Sequence, residues 1–301
     1  MKRSLVIAAA VLITLIVVSL LSAYVISKPG DGIITGDRVA VIKVSGVISM
    51  DSGEGAFAYE ATTPEGFKAQ LDRALSDSSV KAILIEINSP GGSVVASEAI
   101  AEAIKEAKQK KPVVAWLGEI ATSGGYYVAS ASSYIVADPG TITGSIGVIS
   151  VFPEYSRLLK KLGINMTVIK AGEYKDFSTG YRPLTEEERR MVEEIIYDFY
   201  EQFIAEVAQN RNLSVEHVRS IAEGRIYSAK RASELGLVDE VGTRRVAIRK
   251  AAELGGIEGE PQLVTYEKKP LLKELFGTGM ERLGYGFARG LLESRAQPGL
   301  R

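Results

Sequence analysis

Ala82-Ile83-Leu84-Ile85-Glu86-Ile87 is apolar at every position but one, and that pattern belongs to a strand covered on both faces, as in a parallel sheet packed between helices. A half-solvated strand would alternate instead. The run enters Ser89-Pro90-Gly91-Gly92-Ser93 and then an alanine-rich stretch to about Lys110 that reads as a helix. Before it, Val39 to Val44 is a short β-branched strand. Thr63-Pro64 then supplies an N-cap and a proline at the first helical position, and Phe67, Leu71 and Leu75 recur at helical spacing. After it, Val113 to Leu117 is a third strand, and beyond Gly118 the chain enters a second glycine-rich turn with Gly124 to Ser132 helical. The order βαβαβα predicts an α/β fold, a mostly parallel sheet flanked by helices, with sites at the strand-to-helix ends. Two glycine-rich turns after successive strands can then sit side by side at one rim.

Further along, Thr185 and Glu188 form a capping box for a long helix to about Asn210. Ser214 starts a short helix carrying His217, Gly224-Arg225-Ile226-Tyr227-Ser228 precedes a helix ending near Gly236, and Leu237 to Gly242 closes the domain. The length of 301 residues allows one sizeable core plus extras.

The extras lie at the ends. No residue between Arg3 and Lys28 is charged, and Leu5 to Ile26 is apolar apart from Thr14, Ser19, Ser22 and Tyr24. A membrane-spanning helix needs roughly 20 such residues. Lys2 and Arg3 precede the run, so the positive-inside rule places the N-terminus in the cytoplasm and the rest of the chain outside. A cleaved signal peptide would have a shorter apolar region and a small-x-small site, of which Ser22-Ala23 is a poor version, so a retained transmembrane anchor is expected. The chain thus divides into a stub and anchor (1–27), a breaker-rich linker (28–37), a main globular domain (38–257) and a C-terminal amphipathic tail (258–301), which has strand character at Leu263 to Tyr266.

Composition narrows the chemistry. The 36 basic and 37 acidic residues give a net charge of −1 without a basic block, which argues against a nucleic-acid surface. With no cysteine and one histidine, thiolate chemistry and nitrogen- or sulfur-rich metal sites are excluded, and no cofactor or metal is expected. Few nucleophile–base pairs remain. Ala121-Thr122-Ser123-Gly124-Gly125-Tyr126-Tyr127 differs from a Gly-x-Ser-x-Gly elbow only at its first residue, and a serine at a strand-to-helix junction gains an exposed hydroxyl and nearby helix amides. Lys175, 52 residues on in Ala171-Gly172-Glu173-Tyr174-Lys175-Asp176, is the leading base. A free lysine, near pKa 10.4, must lose roughly three units to serve near neutral pH, about 4 kcal/mol of desolvation. Tyr174 and Phe177 could cover the amine, whereas Asp176 would oppose neutrality if it pointed at it.

Gly91 or Gly92, with the Gly124 amide, could supply two oxyanion donors from different segments; the first turn could equally bind phosphate or merely turn, though no Gly-Lys-Ser/Thr follows it. Ser145 in Thr143-Gly144-Ser145-Ile146-Gly147 is a hydroxyl that could orient the lysine without charging it, or a plain turn serine. Ser78-Ser79-Val80-Lys81 matches Ser-x-x-Lys but lacks glycine-rich donors, and His217 lies in a polar stretch typical of a solvated helix.

Taken together, Asn88-Ser89-Pro90-Gly91-Gly92, Thr122 to Tyr127, Thr143 to Gly147, Lys175 and Gly224-Arg225-Ile226-Tyr227 closely resemble the signal peptide peptidase A family in its single-repeat form, over about Val39 to Gly242. The resemblance implies a fold like that of the Clp protease proteolytic subunit and the crotonases. It also implies a membrane-anchored serine endopeptidase that degrades cleaved, apolar signal peptides. Carried over, Ser123 is the nucleophile, Lys175 the general base, Ser145 the lysine-orienting hydroxyl, and Gly91 and Gly124 the oxyanion donors. It further implies a homo-oligomeric ring of about eight chains with each dyad shared between neighbours. Two other readings use the same fold: a crotonase-type acyl-CoA enzyme, disfavoured by the anchor, and a non-catalytic membrane scaffold.

Overall fold

The computed structural model describes residues 13–15, 18–19, 36–52 and 61–266. Most of the expected anchor, the linker before residue 36 and the tail beyond residue 266 lie outside the described residues. Residues 13–15 and 18–19 are helical; among the described residues, no helix is long and apolar enough to cross a membrane.

The sheet runs β2 (Ala61–Thr62), β1 (Arg38–Ile48), β3 (Val80–Gly92), β4 (Val113–Thr122), β5 (Tyr134–Ala137) and β8 (Glu240–Val241). Every pairing along that path is parallel. A short β6 (Ile142–Gly144) continues the ladder parallel to the end of β4 and pairs antiparallel with β7 (Ile226–Ser228), and β9 (Gln262–Thr265) adds parallel to β1. Alternation along β3 divides the core as a doubly covered strand must. Ile83, Ile85 and Ile87 pack with α1 (Pro64–Ser76), α2 (Val94–Lys108), α3 (Gly124–Ser130) and the C-terminal half of α5 (Glu186–Arg211). Ala82 and Leu84 face the other way with Val39, Val41, Val114 and Val136, against Ala247 and Ala251 of α8 (Arg244–Leu254). Each large aliphatic side chain so buried contributes roughly 1.5–3 kcal/mol.

The strands are longer than the apolar runs predict. β3 continues through Gly91 and Gly92 because β1 pairs with both, Val47 with Gly91 and Ile48 with Gly92. β4 passes Gly118 to Thr122 because β6 takes over as its partner beyond Leu117. The first glycine-rich segment is therefore a strand end and the second opens α3 just after β4, with Ser89 opposite Ala121. The predicted strand at Leu263 is β9, anchored by Tyr266, whose hydroxyl donates to Asp77 at 2.7 Å.

Between Ser145 and Thr185 the chain forms one short helix, α4 (Ser156–Lys161), and no strand. This stretch exposes Ile149 (86%), Val151 (80%) and Ile169 (95%), far more apolar surface than an irregular connection ordinarily shows. Two further short helices, α6 (Val215–Ile221) and α7 (Ala229–Glu234), lie between α5 and β8.

Candidate active site

Ser123 is the residue between β4 and α3, and its backbone sits at φ 52°, ψ −123°. A side chain at positive φ is uncommon and costs of order 1–3 kcal/mol. The fold holds it there from three directions. The Ser123 amide donates to the Gly144 carbonyl at 2.9 Å, its carbonyl accepts from Tyr127 at 2.9 Å, and the Thr122 hydroxyl donates to the Pro90 carbonyl at 3.2 Å. The Ser123 hydroxyl makes no capping bond to its own helix. Its flanks, Thr122 and Gly124, are buried while Ser123 itself is partly accessible, so the hydroxyl is the presented group of this turn.

The two glycine segments touch. A Cβ on Gly91, at φ 99°, would lie 2.6 Å from the Gly124 nitrogen and 3.0 Å from Ser123 Cβ. One on Gly124 would meet Ser97 Oγ at 2.3 Å and approach the Gly92 nitrogen to 3.3 Å. Only glycine lets these backbones approach so closely. The amide of Gly91 donates to the buried Ser89 hydroxyl at 3.1 Å. Gly92 and Gly124, by contrast, line the cleft beside Ser123.

Ser145 follows β6, also at φ 52°. Its amide donates to the Arg225 carbonyl at 2.7 Å, the Gly224 amide donates back to Ile146 at 3.0 Å, and the Tyr227 ring lies over Gly144. This gives the Gly224-Arg225-Ile226-Tyr227 segment a physical role as the strap that sets the Ser145 turn. The Tyr227 hydroxyl is tied in turn to the Ile221 carbonyl at 2.8 Å. Ser123, Ser145, Gly92 and Gly124 open into one cleft of about 810 Å³. Its walls include Tyr127, Val148, Ile149, Tyr197 and Phe203, a mostly apolar lining of the kind that receives apolar side chains. Tyr127 and Phe203 meet edge to face at 5.1 Å, and burial raises the Tyr127 phenol above its ordinary range. The contribution of α5 to this wall escaped the sequence reading. Its Ile196, Tyr200 and Phe203 recur at helical spacing, but that signal alone marks a core face as readily as a cleft.

Lys175 does not line this cleft. It lies exposed in a turn spanning residues 171–182. The carboxylate beside it is committed elsewhere: Asp176 accepts from Lys170 Nζ at 2.7 Å and from Arg182 Nη2 and Nε at 2.7 and 3.1 Å. Those bonds, Arg182 first, hold the Asp176 carboxyl well below the usual carboxylate range. Arg182 also reaches Glu188 at the start of α5, at 2.8 and 2.5 Å. Glu188 falls to about 2, with Arg182 again the main cause.

The rejected candidates are accounted for by local bonding. In the Ser78-Ser79-Val80-Lys81 run the lysine, Lys81, pairs with Asp37 at 3.5 Å. His217 Nε2 lies 3.0 Å from the Leu235 carbonyl, and the residue does not line the cleft.

Comparison with known proteins gives this geometry a lineage. The profile of Peptidase family S49 matches residues 105–258, and that of Clp protease matches residues 60–136. A Methanocaldococcus jannaschii protein whose name gives it as a candidate protease is 39% identical over 285 residues, spanning 94% of this chain and 91% of its own. The chloroplastic serine protease SPPA of Arabidopsis thaliana is 35% identical over 217 residues, which cover 71% of this chain and 32% of that protein. Among solved structures, a mutant of a membrane-bound stomatin-specific protease superposes with a TM-score of 0.51 at 17% identity, over 78% of this chain and all of that one, a likeness of fold. The fold is thus Clp-protease-like, an α/β arrangement around a mostly parallel sheet. With one family profile covering half the sequence and a relative alike across nine-tenths of both proteins, the chain belongs to peptidase family S49, the family of signal peptide peptidase A, and is a serine-type peptidase.

Proposed function

We propose that Ser123 is the nucleophile and Lys175 the general base of a membrane-anchored endopeptidase acting on extended, apolar peptides such as cleaved signal peptides. The observation that carries this reading is Ser123 itself, held at positive φ on the rim of an apolar cleft with the Gly92 and Gly124 backbones beside it. In the reaction, neutral Lys175 takes the Ser123 proton as the hydroxyl oxygen attacks the peptide carbonyl. Amides of the Gly124 turn and of the Gly91-Gly92 segment hold the oxyanion, with Gly92 favoured over Gly91, whose amide already donates to Ser89. The protonated lysine then passes its proton to the leaving amine, and water releases the acyl-enzyme by the same base.

A lysine base must be desolvated to be neutral, yet Lys175 is exposed and away from the cleft of its own chain. We infer that it enters the cleft of a neighbouring copy, where Ser145 orients the amine by accepting a hydrogen bond. Closure of about eight copies into a ring would give every chain such a neighbour. The exposed apolar surface at Ile149, Val151 and Ile169 suits burial between copies. The apolar run at residues 5–26 anchors the ring, with the N-terminus cytoplasmic and the peptidase domain outside.

The test mixes two inactive variants, Ser123→Ala and Lys175→Ala, under conditions of subunit exchange. Activity returns in the mixture when the dyad is shared between chains. An inactive mixture, despite exchange proven by mass-tagged subunits, rules out sharing; activity retained by Lys175→Ala alone rules out the lysine.

A further inference from the structure

The turn that carries Lys175 is closed upon itself and bolted to α5 by charged groups that bond formation on Ser123 does not require. Lys170 Nζ donates to the Glu173 carbonyl at 2.6 Å and to Asp176 Oδ1 at 2.7 Å, and the Thr179 hydroxyl donates to the Asp176 carbonyl at 2.8 Å. Arg182 then grips both Asp176 oxygens with Nε and Nη2, and both Glu188 oxygens with Nη1 and Nη2. Asp176 and Glu188 are buried, at 8% and 1% exposure. Lys175 itself is exposed, and Asp176 is its immediate neighbour in the same turn. Two cations and two carboxylates make the cluster neutral overall, and the planar fork of arginine is what allows one side chain to serve both acids.

We propose that Arg182 is a positioning residue for the Lys175 base: its fork ties the Lys175 turn to the N-terminus of α5 and keeps the Asp176 carboxylate turned away from the lysine amine. The inference rests on Lys175 being the base. Its physical content is twofold. Orientation matters because an amine displaced by about 1 Å can cost 10²-fold in rate. Charge matters because a free carboxylate within about 4–6 Å favours the protonated, inactive ammonium. Besides the cluster, the ionisable groups on the turn and in the first turn of α5 are Glu173, Tyr174, Tyr181, Glu186, Glu187 and Arg189. Of these, Tyr174 is engaged with Glu187.

The experiment measures kcat/KM against pH for the full chain in detergent, with an apolar fluorogenic peptide, for wild type, Arg182→Gln and Arg182→Gln/Asp176→Asn. Releasing Asp176 should lower kcat/KM about 10- to 100-fold and move the acid limb of the profile up by about one pH unit, a tenfold change in the neutral fraction. Removing the freed charge in the double variant should return the limb to its wild-type position while part of the rate loss remains. A purely structural role would lower the rate of both variants and leave both limbs in place, and that result overturns the proposal. So would a limb that moves in Arg182→Gln and stays moved in the double variant. Lys175→Ala is assayed in parallel: if it stays active the base assignment itself fails, whereas an inactive Lys175→Ala with an unmoved Arg182→Gln limb defeats the clamp alone.

Discussion

A serine at φ 52° next to two glycines stores conformational energy in the turn between β4 and α3. The bond from its amide to the Gly144 carbonyl and the helix bond from Tyr127 sustain it. Glycine tolerates that conformation and alanine does not, so replacement by the one and by the other should differ in stability. Ser123→Gly should be more stable than Ser123→Ala by about 1 kcal/mol, read as a higher urea midpoint at unchanged slope; equal midpoints would mean that the turn is relaxed. The Ser123 turn stands out in the sequence because its neighbours are sterically forced. Gly91 and Gly124 have no room for a Cβ, so the glycine signature in the sequence is the imprint of backbones meeting in space. The committed amide of Gly91 was not legible, because its partner Ser89 becomes one only in the folded turn.

The elements that flank the site are held by their ends. In α5 the Thr185 hydroxyl accepts from the Glu188 amide at 3.2 Å while the Glu188 carboxylate accepts from the Thr185 amide at 2.8 Å, the reciprocal bonds that the Thr-x-x-Glu spacing predicts. Thr185→Ala should cost about 1 kcal/mol in chemical denaturation. It should also weaken the attachment of the Lys175 turn, because Glu188 belongs to both arrangements. Helix α1 ends differently: Lys111 Nζ donates to the carbonyls of Ala74 and Asp77 at 2.8 and 2.7 Å, satisfying groups the helix leaves open. Caps of the first kind are readable because both partners lie within one turn. The Lys111 cap joins residues more than thirty positions apart, and no local pattern announces it. The same distinction explains why β3 and β4 extend past their apolar runs. Their final residues are strand only because β1 and β6 supply partners.

At the scale of the molecule, β9 is fastened through Asp77, which accepts from the Ser79 hydroxyl at 2.6 Å and from Tyr266 at 2.7 Å, with Arg38 4.0 Å away. These bonds, that from Ser79 foremost, lower its carboxyl to about 2, against about 3.9 in an unfolded chain. Between those values the unfolded state binds more protons, so stability rises with pH. The Asp77 contribution is complete above about pH 4 and lost as pH falls through about 2. The stability difference between wild type and Asp77→Asn should therefore be full at pH 6 and shrink steadily toward pH 2, measured by urea denaturation across that range. A difference that does not change with pH would remove Asp77 from the linkage.

Local physics is written in the sequence: the buried parallel strands in their apolar runs, the helix starts in their caps, the Ser123 turn in glycines that must lack side chains, and the lysine candidate in a composition with no cysteine and one histidine. Which of those groups share a space depends on the assembled fold. Ser123, Ser145, Gly92 and Gly124 meet at one cleft because β4 and β6 pair, and aromatic residues of α5 complete its wall. Lys175 stands outside that cleft, and Arg182 takes the carboxylate next to it. Local pattern is set by a few neighbouring residues, whereas proximity across the fold is set by how the whole sheet is ordered, and no short stretch of sequence contains that order.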